Sequence, residues 1–115
     1  MARIGCSLDH IVRQSENLQM VRKADLRVGD IVYIKTINSM YCVRVEENRA
    51  YMVSGGWFDR KGNAPVKTTI AGCTWGGNII NVNAVAAVGL SVEFGNRVIT
   101  SPIVRITHIR REQEN

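Results

Sequence analysis

The sequence predicts a mainly β fold, a small antiparallel β-barrel or two-sheet sandwich with a short helical segment, and three observations carry that expectation. The branched apolar residues are lopsided, 14 Val and 12 Ile against 4 Leu, and branching at Cβ restricts χ1 in a way that suits a pleated strand better than a helix. Apolar and polar residues alternate with period two in several short runs. Ten glycines but only two prolines punctuate those runs, as suits turns that use positive φ more often than a fixed proline φ. Seven or so short strands are most economically closed into a barrel or stacked as a sandwich, either of which removes or shields open edges.

Residues 1–20 read as an N-terminal segment in which Ser7 to Gln14 starts a short helix, with Ser7 as N-cap, Asp9 near the positive end of the dipole and Leu8, Ile11 and Val12 on one face. Residues 21–109 read as one β-barrel or sandwich domain, and 110–115 as a polar tail. Ala24 to Asp30 is a turn with Gly29 available for positive φ, and Ile31 to Ile37 follows as a strand in which Val32, Ile34 and Thr36 alternate with Tyr33, Lys35 and Ile37. Asn38-Ser39 turns the chain into a second strand around Tyr41, Val43 and Val45, and Glu47-Asn48-Arg49 turns it into a third from Ala50 to Val53. Ser54 to Pro65, with three glycines and three charges, reads as a long loop. Val66 to Cys73 alternates as one strand, and Trp75-Gly76-Gly77-Asn78 is the next turn, with Ile79 and Ile80 opening a short run after it. Asn83 to Gly89 reads two ways, as a single helical turn capped by Asn83 and closed by Gly89 or as a crowded strand of small residues, with a slight lean to the helix. Ser91 to Phe94, Gly95-Asn96 and Arg97 to Thr100 read as a hairpin with a two-residue type II′ turn. The last strand, Ile103 to Ile109, puts Val104, Ile106 and His108 on one face and Arg105, Thr107 and Ile109 on the other.

Composition narrows the function classes. A 12.8 kDa chain buries roughly two-thirds of its unfolded surface, enough for one core without disulfides or metal. Cys6, Cys42 and Cys73 are odd in number and widely spaced, with only His10 and His108 to join them, so no metal site is expected, no cofactor is implied, and Cys42 and Cys73 read as small buried hydrophobes of a reducing, cytoplasmic compartment. No apolar run approaches the ~20 residues that span a bilayer, and neither a membrane helix nor a signal peptide is expected. The net charge of +5 and pI of 9.5 favour encounter with polyanions, and matter most where the charge is concentrated on one face.

The candidate binding residues flank the two tryptophans, which sit in mirror order as Gly55-Gly56-Trp57 and Trp75-Gly76-Gly77. Glycine beside a large ring lets a ligand or backbone approach while the ring supplies contact area. Trp57, Phe58, Arg60, Lys61, Lys67 and Trp75 therefore form the ligand or interface set, and Gly55, Gly56, Gly76 and Gly77 the backbone-permissive one. The leading expectation is a nonenzymatic binding or assembly module acting through the loops at 54–65 and 74–78, in an arrangement that also suits a homo-oligomer. The alternative is a sequence-tolerant RNA or single-stranded DNA binder, since aromatic faces stack on bases while Arg and Lys contact phosphates. A second basic group, Arg97, Arg105, Arg110 and Arg111, reads as a solvated edge protected by charge. A remote enzyme reading rests on Cys6, Asp9 and His10, where an imidazolium could favour a thiolate.

Asp25-Leu26-Arg27-Val28-Gly29-Asp30-Ile31-Val32 resembles the turn leading into a strand in the self-splicing intein and hedgehog-type family, and Cys6 lies 19 residues before Asp25. The resemblance covers about a quarter of the chain and implies a nucleophilic cysteine upstream, an internal Thr-x-x-His and a terminal His-Asn. Here Thr68-Thr69 is followed by Ile70, Ala71 and Gly72, and His108 by Ile109.

Overall fold

Among the described residues, strand-forming side chains build eleven short strands: β1 (Ser15–Leu18), β2 (Met20–Arg22), β3 (Ile31–Thr36), β4 (Met40–Val45), β5 (Tyr51–Gly55), β6 (Val66–Thr68), β7 (Ile70–Trp75), β8 (Asn78–Asn81), β9 (Ala84–Ala87), β10 (Ser91–Phe94) and β11 (Ile103–Ile109). The computed structural model describes residues 15–62, 64–76 and 78–111. The expected helix over Ser7 to Gln14, the group Cys6, Asp9 and His10, and Gly77 lie outside the described residues.

Every strand pairing is antiparallel. The strands form a six-stranded sheet in the order β1-β11-β3-β4-β5-β6, a three-stranded sheet β10-β7-β8 and a two-stranded one, β2-β9. None of these sheets closes on itself, so the fold is a packed-sheet arrangement and not a closed barrel. The meander read from residues 31–53 forms as β3-β4-β5. Its period-two alternation sends Val32, Ile34, Tyr41, Val43, Tyr51 and Val53 inward, where they meet Ile70, Val85, Val92 and Phe94 of the smaller sheets.

Five local expectations are corrected. The stretch 54–65 is not one loop: β5 runs to Gly55, and a short helix, α1 (Gly56–Arg60), follows. Gly55 and Gly56 take φ of 95° and 44° to make the corner, and the backbone N–H of Gly55 donates to Asp59 Oδ1 at 2.9 Å. Residues 84–87 are a strand and not a helical turn, because all four side chains are buried and small enough for a crowded pairing with β2. Val66 to Cys73 breaks at Thr69, with β6 extending the large sheet and β7 centring the three-stranded one. The 91–100 hairpin has a three-residue connection, Gly95 to Arg97, closed by Val98 O accepting from Phe94 N at 2.8 Å; the left-handed residue is Arg97, with φ of 69°, and not Gly95. In β11 a register shift between Ile103 and Arg105 breaks the expected two faces: Val104 is exposed, while Ile106 and His108 are buried together with Ile109.

Candidate functional site

The Gly-Trp elements do not form one surface. In α1 the Phe58 ring is fully buried, edge-on to Phe94 at 5.1 Å and to Tyr41 at 6.2 Å between centroids. Trp57 is half-buried against Phe58, and Lys61 Nζ lies 5.7 Å from its ring centroid in a cation–π contact. Arg60 and Lys61 are exposed beside it, and Lys67 is exposed on β6. Trp75 ends β7, 66 % exposed. Phe58 packs on Phe94, the register partner of Ile70 at the opposite end of β7, so roughly 16 Å of strand separates the Trp75 turn from the α1 corner. Gly76 takes φ of 59° in the β7–β8 turn.

The concentration of charge lies elsewhere, at the end of the large sheet where β3 begins and β11 stops. It is organised by Asp30, a carboxylate only 3 % exposed. Asp30 Oδ2 accepts from Arg27 N at 3.1 Å and from His108 Nε2 at 3.0 Å, and Oδ1 accepts from Arg111 N at 2.8 Å. Three donors replace the water that the carboxylate gives up on burial. They also tie the turn before β3 to the residues after β11, and so set Arg27 and Arg111 beside each other. Gly29, with φ of 94°, takes a conformation that a residue with a Cβ adopts at a cost, and the exposed Arg111 stem crosses the turn with its Cδ 2.6 Å from where such a Cβ would lie.

Two hollows open at this end. One, of about 410 Å3, is lined by Ala24, Asp25, Arg27, Asp30, Arg110 and Arg111; the other, of about 280 Å3, by Arg22, Lys23, Ala24, Arg49 and Asn83. Ala24 is the shared wall, so six of the 15 Lys and Arg residues rim adjoining concavities. No family model, curated protein or solved structure matches this chain. The reading of the site therefore rests on its own chemistry.

Of the two carboxylates at the larger hollow, Asp30 is filled by its three donors, and Asp25 is bonded by Arg22 Nε at 3.3 Å, which holds its carboxyl below the usual range. Burial, and then the neighbouring Arg49 charge, push Lys23 below an ordinary lysine. Lys23, Arg27, Arg49 and Arg111 form no ion pair among the described residues. Arg49 is held at φ of 58°, a left-handed conformation that a residue with a Cβ adopts at a cost. Lys23 and Arg49 thus crowd like charge into one hollow.

Sequence reasoning noticed Arg110 and Arg111 but not Arg22, Lys23, Arg27 or Arg49, which belong to three other segments. The available signal was Asp30 ahead of an apolar strand and His108 within one, each needing a buried partner. Among the described residues there is no cluster of three His, Cys, Asp or Glu side chains that could hold a metal. No helix there is long and apolar enough to cross a membrane. Cys73 is buried, and burial pushes its thiol up to about 11.

Proposed function

We propose that this chain is a nonenzymatic binding module for nucleic acid, gripped through its phosphates at the basic end. The observation that carries the reading is the convergence of Arg22, Lys23, Arg27, Arg49, Arg110 and Arg111 on two adjoining hollows. Five of the six are arginines, whose planar forks match phosphate oxygens bidentately where lysine offers a point charge. Concavity favours a phosphate chain over a flat anionic surface, because each phosphate is met from more than one side. This reading takes up the alternative that the sequence offered, a nucleic-acid binder, and proposes the Asp30 end for it instead of the Trp57 segment.

The test is fluorescence anisotropy of a labelled oligonucleotide at low salt. Arg27→Ala and Arg111→Ala are each expected to weaken binding about 5- to 10-fold, whatever the base sequence. Wild-type protein that leaves the oligonucleotide tumbling freely at low salt would overturn the reading.

A second reading, self-assembly, is favoured by one specific observation. Trp75 at 66 % exposure stands with Ile79 and Val82 on or beside the β7–β8 hairpin, and Met20 reaches it through Asn81. Light scattering that gives a larger mass for wild type than for Trp75→Ala would support it.

A further inference from the structure

The outward face of the six-stranded sheet carries a cationic feature separate from the basic end. Lys35 on β3 and Arg105 on β11 are direct register partners, and both are exposed. Antiparallel partners project to the same side with Cβ atoms about 4.5–5.5 Å apart, and like charges there repel. No carboxylate pairs with either side chain among the described residues. Beside them, Tyr33 is the partner of Thr107, and Met40 is the partner of Lys35 on the other flank. These five side chains line a groove of about 230 Å3. That is smaller than the roughly 300–1,000 Å3 of pockets that take a whole drug-sized ligand, and suits a single planar ring.

The geometry points to this groove as the subsite for one unpaired base and its flanking phosphate, so that the nucleic acid bound is single-stranded. The inference rests on the nucleic-acid reading for its ligand and on the sheet face for its place. A duplex keeps its bases stacked inside and offers only backbone, whereas a single strand can lay a base against Tyr33 and Met40 while Lys35 and Arg105 share the phosphate between them. The repelling pair is then the charge complement of the ligand. Five residue steps along β3 separate Lys35 from Asp30, about 16 Å, a span covered by the roughly 4–16 nucleotides that small β platforms bind.

The experiment compares labelled oligothymidylate and oligouridylate of about 12 nucleotides with a duplex of the same length, on full-length wild type and on the Lys35→Gln/Arg105→Gln double variant. Wild type is expected to prefer the single strands about 10-fold, and the double variant to lose about that factor for single strands only, with thermal stability equal or higher because the repulsion is gone. A Tyr33→Leu variant, apolar but without a ring to stack, is expected to lose several-fold on the single strands alone. Stronger binding of one of the two single strands assigns the ligand to DNA or RNA within the same inference. Equal affinity for single strands and duplex, unchanged in the double variant but still weakened by Arg27→Ala, would overturn the groove and leave the basic end standing. No binding of any of the three by wild type would overturn both.

Discussion

A carboxylate 3 % exposed is tolerated only when its lone pairs are occupied, and Asp30 has donors from Arg27, His108 and Arg111 within 3.1 Å. Truncating it leaves a buried imidazole and two backbone N–H groups without their acceptor. Asp30→Ala is therefore expected to cost about 3–5 kcal/mol, and Asp30→Asn less, since an amide oxygen still accepts; urea denaturation with a common slope measures both. A cost under about 1 kcal/mol for Asp30→Ala would mean that the donors find water instead. In the sequence Asp30 reads as a turn residue and His108 as an isolated histidine on a strand. Each is recognisable as needing a partner, but the two are 78 positions apart, and only the sheet register brings them together. Phe58 shows the reverse case, an aromatic read as a contact residue because its segment lacks periodicity, yet held in the core by Tyr41 and Phe94.

At the scale of elements, the clean alternations were legible: β3 and β4 stand close to where period two puts them, because inward Val and Ile side chains fix their register, whereas β11 keeps its expected span but not its alternation. Elements decided by tertiary contact were not. β9 pairs with β2 although its small buried residues would suit a helical turn as well, and α1 follows a glycine corner that no hydrophobic pattern marks. The turn between β4 and β5 is informative for function, with Asn48 and Arg49 in succession at φ of 60° and 58°. Asn tolerates that region through its short polar side chain, whereas Arg gains nothing local from it. Arg49→Gly is expected to raise stability by about 0.5–1 kcal/mol while weakening oligonucleotide binding several-fold. Arg97→Gly, which removes the same charge and the same kind of strain from the turn after β10, is expected to stabilise similarly and to leave affinity unchanged. Thermal melts paired with anisotropy titrations separate the two. Equal affinity in both variants would mean that the strain at Arg49 serves no ligand.

For the whole molecule the question is where a net charge of +5 resides, because a dispersed charge and a focused one predict different salt responses. Binding that releases counterions from Z phosphates gives a log–log slope of about −0.7Z for single strands. Arg22 already shares its charge with Asp25, so Lys23, Arg27, Arg49 and Arg111 are the groups of the basic end counted as free to engage phosphates. Four contacts at the basic end contribute about −3 to the slope, and the Arg27→Ala/Arg111→Ala double variant should remove about half of that contribution. Affinity measured across a salt series at fixed pH reads the slope directly. A wild-type slope flatter than about −1, or one that the double variant leaves unchanged, would place the charge outside the contact and remove the basis of the proposed function. Self-association through the Trp75 hairpin should by contrast respond little to salt, since it would bury apolar surface and release few ions. The same salt series on both measurements therefore tells the two processes apart.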